Sequence, residues 1–325
     1  MSEAEAFLPV VRAAQLADAT VTERWLVASL WARAAVGILG GAPKCCKSWL
    51  ALDLAVSVAS NTPCLGRFAV EAPGSVMLYM AEDSAAVVKA RLQGIARHRG
   101  RTLDALPLDV ITAPTVRIDH ERDQARLLRT VRRGAPRLLV LDPFVRLHRV
   151  DENDAGQVSA VLGYLRALQR ELDVAVLVVH HARKNGGAGG QAGQSLRGSG
   201  DLHAWGDSNL YLRRQQGALS LTIEHRAAAA PEPLALRLVS SADRDDDAHL
   251  ELIASEEARE SAKGGLDQTI LATLAAAGEP LGRTVLRDKT RVRNERLGEA
   301  LARLAATGAV VRAGDRWAIP IPTST

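Results

Sequence analysis

The chain has 325 residues with 41 basic and 37 acidic side chains and a formal charge of +4, which gives room for one large domain plus a small one and permits nucleic acid as a partner without requiring it. Hydrophobic residues make up 47% but aromatics only 3%, so a sizeable core can form and must be aliphatic. Three cysteines, Cys45, Cys46 and Cys64, fit a reducing, cytoplasmic setting better than a disulfide framework, and the lack of any run of about 18 apolar residues excludes a membrane span.

From the N-terminus, residues 1–35 read as amphipathic helical material, without the basic-then-apolar pattern of a signal peptide. VGILG at 36–40 is a short apolar run stopped by Gly40-Gly41, and KSWLALDLAVSVAS at 47–60 has helical spacing. Strand, glycine turn and helix open an α/β unit. Further apolar strands are predicted at 75–81, 137–142 and 173–180, with helices at 84–99, which has a basic face, and 155–172. Strands that are apolar throughout are buried on both faces, so the fold class is α/β with a mainly parallel sheet covered by helices. Residues 183–200 are glycine-rich and polar and read as a long loop, while 208–213 and 218–224 read as a hairpin. Residues 240–265 are polar and charged. They place a linker at 254–265 between a domain spanning 1–253 and a small unit at 266–325.

The turn at 41–48 reads Gly41-Ala42-Pro43-Lys44-Cys45-Cys46-Lys47-Ser48, with Trp49 next. The phosphate-loop pattern is G-x-x-x-x-G-K-[ST]. Gly41, Lys47 and Ser48 fit it, and Cys46 stands where the second glycine belongs. Such a loop wraps phosphates in backbone N–H groups at a helix N-terminus, brings a lysine to the terminal oxygens and a hydroxyl to Mg²⁺. ATP and Mg²⁺ are the implied ligands, with residues 41–49 as the nucleotide loop. A Cβ at position 46 crowds the bend and disfavours positive φ. Cys45 and Cys46 read either as two small reduced thiols or as a redox switch.

Asp142 closes the apolar strand RLLVLD, the form of a carboxylate that holds Mg²⁺ together with Ser48. Glu82 follows the strand SVMLYMA and sits at the same sheet edge, where a carboxylate can polarise an attacking water. Asp83 competes for that role but reads better as the N-cap of the following helix. His180 and His181 end the fourth strand on opposite faces, so one of them at most meets the nucleotide. The pair lacks nearby cysteines or spaced carboxylates, which argues against zinc there.

In this order the motifs GAPKCCKSWLALDLA, YMAEDS, LLVLDPF, VVHHARK and SLRGSGDLHAWGDS resemble the RecA-like P-loop ATPases, and among them the RepA type of hexameric helicase, over roughly residues 20–240. The resemblance implies that Lys47 and Ser48 bind nucleotide and metal, that Glu82 is the catalytic glutamate, and that His181 senses the γ-phosphate. It implies that Arg226 is the arginine a ring inserts into its neighbour's site. The family often has a lysine two residues before that arginine; here the position is Glu224. It further implies a homo-oligomer, a hexamer, and a single DNA strand in the channel contacted by Arg183, Lys184 and Arg197.

Beyond the linker, helices are predicted at 266–277, 284–289 and 294–306, then a two-stranded wing at 309–319 turning at Gly314-Asp315. This is winged-helix order. Between residues 282 and 296, six basic residues, Arg291, Arg293 and Arg296 among them, face two acidic ones. The excess points to duplex DNA, although such modules also bind proteins. Three alternatives share the core motifs: a nucleotide-binding regulator that barely hydrolyses, a filament-forming recombination ATPase, and a small-molecule kinase, for which the histidines and Arg226 have no evident use.

Overall fold

The computed structural model describes residues 10–15, 24–181, 201–215, 218–241, 244–290, 292 and 294–320. The chain begins with a small hairpin, β1 (Trp25–Val27) and β2 (Trp31–Ala32), followed by β3 (Val36–Gly41) and α1 (Lys47–Ser60). Next come β4 (Val76–Met80), α2 (Ala85–His98), β5 (Leu108–Val110), α3 (Glu121–Gly134), β6 (Leu138–Asp142), α4 (Ala155–Leu172) and β7 (Ala175–His181). A short α5 (Asp201–Trp205) leads into β8 (Ser208–Gln215), β9 (Ala218–His225), β10 (Leu234–Ser241) and β11 (Arg244–Ile253). The last part holds α6 (Ser255–Ala277), β12 (Leu281–Gly282), α7 (Arg283–Thr290), α8 (Asn294–Ala306), β13 (Val311–Ala313) and β14 (Arg316–Ala318).

Nine strands form one sheet in the order β11-β10-β9-β8-β3-β7-β6-β4-β5. From β8 to β5 every pairing is parallel, and β9, β10 and β11 extend the sheet antiparallel. The central strands are aliphatic and buried throughout, as strands covered on both faces must be. One core holds Leu39, Leu50, Leu54 and Leu78 with Val88 and Leu92 of α2; the other holds Ile38, Leu127, Val131, Leu162 and Leu165. β11 packs against α1 and α2, so the antiparallel extension curls over the first of these cores. Parallel strands all end on one edge, which brings the residues after β3, β4, β6 and β7 together.

Caps set the helix starts. Ser84 accepts from the Val87 N–H to begin α2, and Asp154 accepts from Gly156 and Gln157 to begin α4. Ser84, not Asp83, is thus the cap of α2: its side chain reaches the third helical residue, which frees Asp83 for the site below.

Two readings of the sequence are corrected. Residues 25–32 are an antiparallel hairpin, not helix: Leu26, Val27 and Trp31 are buried, and Ser29 takes a left-handed turn conformation that a helix does not contain. The polar stretch 240–265 is not an open connection. Its first part completes β10 and β11, where Ala248 and Leu250 are buried. Of the segment read as a linker, 254–265, all but Ala254 runs within α6, which starts at Ser255 and continues unbroken to Ala277. The acidic and basic side chains obscured the pattern there. Beyond it, α6, α7 and α8 enclose a separate core of Leu266, Ile270, Leu274, Leu286, Leu297 and Leu301, covered by a three-stranded antiparallel sheet ordered β12-β14-β13.

Candidate nucleotide site

The loop between β3 and α1 is fixed by sterics. A Cβ on Gly41 would lie 2.3 Å from the Leu212 carbonyl oxygen of β8 and 2.7 Å from Cys45 Sγ, so glycine alone fits. Lys44 and Cys46 both adopt left-handed backbone, with φ of 62° and 64°. The bend therefore does require positive φ where the phosphate-loop pattern has glycine, and a cysteine occupies it under strain. Cys46 is also the N-cap of α1 and makes no side-chain capping bond. The first-turn N–H groups of α1 are thus left to a ligand, as at phosphate-binding helix ends.

Lys47 is 5% exposed and lies back along the loop, its Nζ donating to the carbonyls of Gly41 (3.1 Å) and Ala42 (2.9 Å). Burial pushes its pKa down, against the pull of the nearby Cys45 and Asp142. Asp142, at the end of β6, is 7% exposed. Burial raises its pKa to about 6, opposed by hydrogen bonding to the Ser48 hydroxyl and by Lys47, and reinforced by Asp83 and Glu82. Its Oδ2 is buried without a hydrogen-bond partner. Ser48, Met80, Glu82, Asp83, Arg91 and Asp142 line a cavity of about 150 Å³. An oxygen-only donor set with an unsatisfied buried carboxylate oxygen fits a hard cation such as Mg²⁺.

Glu82 is half-exposed and accepts from Arg146 Nε at 2.9 Å. Asp83 accepts from Arg91 at 2.6 Å, and the same guanidinium lies 5.2 Å from the Trp49 ring centroid. Arg91 thus ties α2 to the start of α1 at the mouth of the cavity. The sequence reading missed it, along with Arg146 and Arg214; only the basic face of the second helix hinted at Arg91. Arg214 of β8 approaches Cys46 Sγ at 3.6 Å.

β7 is in register with β3 so that His181 pairs with Gly41, beside the loop. His180 is buried, edge-on to Phe144 at 5.7 Å. By backbone register His180 is level with Gly40 and His181 with Gly41, the first residue of the loop. Arg226 lies elsewhere. β9 runs antiparallel to β8, with His225 paired to Ser208 at the start of β8, so Arg226 sits at the opposite sheet edge from Ser48 in its own chain. There it contacts Asp207 (3.4 Å) and the Ala204 carbonyl (2.5 Å). Asp207 also pairs with Arg166.

Of the residues expected to meet DNA, Arg183, Lys184, Arg197, Arg291 and Arg293 lie outside the described residues. Arg296 is exposed on α8, and Lys289 is exposed on α7. Arg283 instead donates to the Asn294 carbonyl and Arg287 pairs with Asp288, so part of the basic excess serves local structure. No described helix is long and apolar enough to cross a membrane.

The family model of the AAA domain matches residues 2–187, more than half of the chain. Among solved structures, a DnaB-like replicative helicase, described with its interactions with primase, superposes with a TM-score of 0.51 at 17% identity. The match covers 64% of this chain and 56% of the helicase chain, so this chain spans little more than half of that protein. A RadB recombinase matches with a TM-score of 0.48 at 15% identity, over 68% of this chain and 92% of that one. With its phosphate loop, parallel strand order and strand-end carboxylates, the chain has a RecA-like P-loop fold and belongs to the AAA-domain family.

Proposed function

We propose that this protein hydrolyses ATP as a DNA-associated motor of the replicative helicase class, of RepA type, working in the cytoplasm as a ring. The observation that carries the reading is the cavity lined together by Ser48, Glu82 and Asp142 at the strand ends, behind a loop whose lysine is poised on its own carbonyls. ATP is the substrate. Lys47 exchanges the Gly41 and Ala42 carbonyls for the terminal phosphate oxygens, and the N–H groups of the loop and of α1 wrap the remainder. Ser48 and Asp142 would hold Mg²⁺, whose chemistry there would be neutralisation of charge on the phosphoryl oxygens. Glu82, released from Arg146, orients the attacking water, and His181 reports the γ-phosphate to the segment that follows it.

In this reading Arg226 acts on a neighbouring subunit. Its place at the far sheet edge excludes its own site but suits a head-to-tail ring, where a donated guanidinium stabilises the transition state. The C-terminal unit serves as a winged helix on duplex DNA, through Lys289, Arg291, Arg293 and Arg296. Arg183, Lys184 and Arg197 track a single strand. The test is the ATPase rate with and without single-stranded DNA, on protein whose mass is measured in the same buffer. DNA-stimulated phosphate release from a closed oligomer, lost in Glu82→Gln, is expected. Monomeric protein without ATP turnover, or a Glu82→Gln variant as fast as the unmodified chain, contradicts the reading.

Two features favour a second reading, a nucleotide-binding regulator with slow turnover. Two non-glycine residues of the loop are in left-handed backbone, and Glu82 is held by Arg146. Tight nucleotide uptake with DNA-independent, near-zero phosphate release would favour it.

A further inference from the structure

Far from the nucleotide loop, three potential metal ligands converge where α2 meets the edge strand β11. His98 is the last residue of α2, and His249 and Glu251 occupy alternate positions of β11, so their side chains leave the strand on the same side. One ligand atom from each lies within 4.8 Å of the others. The two imidazoles stack with centroids 3.5 Å apart, and His249 Nε2 lies 2.9 Å from Glu251 Oε1. We infer that His98, His249 and Glu251 form a binding site for a divalent transition ion of the zinc class, which clamps the C-terminal end of α2 to β11.

The chemistry suits that ion. Two imidazoles and one carboxylate are a borderline donor set, matched to zinc rather than to the oxygen-seeking Mg²⁺ or Ca²⁺. Ligand atoms this close need only side-chain adjustment to reach about 2.0–2.2 Å from one ion. Partial burial and the neighbouring His249 lower the pKa of His98. Two guanidinium groups lie nearby: Arg99 is held by both oxygens of Asp53 at 2.8 and 2.7 Å, and Arg237 pairs with Glu251 Oε2 at 3.5 Å, while Glu251 Oε1 faces His249. A cavity of about 460 Å³, lined in part by His98, Arg99 and Glu251, opens beside the three residues and gives the ion a route in and room for a water ligand. The competing account is that two imidazoles merely stack at a helix end, with His249 hydrogen-bonded to Glu251.

Zinc uptake decides between them. The full chain, reduced and free of nucleotide, is titrated with Zn²⁺ against a chromophoric chelator, with excess Mg²⁺ present to occupy the oxygen ligands around Asp142. One equivalent is expected to bind, with affinity at least about tenfold lower in His98→Ala and in Glu251→Gln. His98 is exposed, so His98→Ala keeps its fold, which circular dichroism verifies. Zinc is expected to raise the Tm of the unmodified chain but not that of His98→Ala. To separate this site from the three thiols, Co²⁺ replaces Zn²⁺: a visible spectrum without thiolate charge transfer is expected. No zinc uptake, full uptake by both variants, or a thiolate spectrum that survives His98→Ala overturns the inference.

Discussion

Asp142 carries a clear pH signature at the scale of a single residue. Its folded pKa is about 6, whereas an unfolded aspartate titrates near ~3.9. Between those values the native state binds more protons than the unfolded state, so stability falls as pH rises through that window and stays lower above it. A shift of that size corresponds to roughly 3 kcal/mol at most. Asp142→Asn is therefore expected to raise the Tm at pH 8 and to leave it nearly unchanged at pH 4, while abolishing Mg²⁺-dependent ATP hydrolysis. Equal Tm gains at both pH values would rule out burial of the charge as the cause. Cys46 gives a second residue-scale case. A left-handed non-glycine residue costs about 1–2 kcal/mol, and glycine gives back about 0.5–1 kcal/mol of that through its looser unfolded chain. Cys46→Gly should thus stabilise the fold slightly, raising Tm by about 2 °C. A lower Tm in a differential scan would mean that the thiol contact with Arg214 matters more than the backbone strain.

At the scale of elements, a buried ion pair joins α1 to the end of α2, beside the apolar contacts between the two helices. Arg99 and Asp53 side chains are 7% and 2% exposed, and Asp53 also accepts from the Leu65 N–H at 3.0 Å and from Cys64 Sγ at 3.2 Å. Burial pushes the Cys64 thiol pKa well up, with the adjacent Asp53 charge adding to it, so it stays protonated and can donate. Arg99→Ala leaves a buried carboxylate without its cation, and a loss of about 3–5 kcal/mol in urea denaturation is expected. Adding Asp53→Asn to that variant should recover much of the loss, because the uncompensated charge is then gone. Were the double variant as unstable as the single one, packing of the guanidinium, not charge, would be what matters here.

The whole molecule raises the question of where Arg226 acts. Antiparallel pairing of β9 with β8 places it at the sheet edge away from its own Ser48, so a catalytic role requires another copy of the chain. Mixing Arg226→Ala protein with Asp142→Asn protein, each inactive alone, tests this. ATPase activity should appear in the mixture, because a subunit that keeps Asp142 can then take its arginine from a neighbour. A mixture as inactive as either variant would confine the arginine to its own subunit, where it contacts Asp207. A Tm measured alongside separates loss of that contact from loss of catalysis.

The sequence by itself determined the parallel core and most of the nucleotide loop. Strands such as Leu138–Asp142 are continuous apolar runs, and the loop's lysine and hydroxyl stand at fixed offsets from Gly41. Both signals are local, so periodicity and spacing suffice to read them. Only the tertiary structure decided that residues 255–265 belong to a helix, that Ser84 rather than Asp83 caps α2, and that the polar run before Ile253 is an edge strand. The same holds for Arg91 beside Trp49 and for His98 against His249. The physical reason is common to all of them: each depends on a partner distant in the chain, and a charged side chain announces its exposure in the sequence but not what it will meet once the sheet has curled.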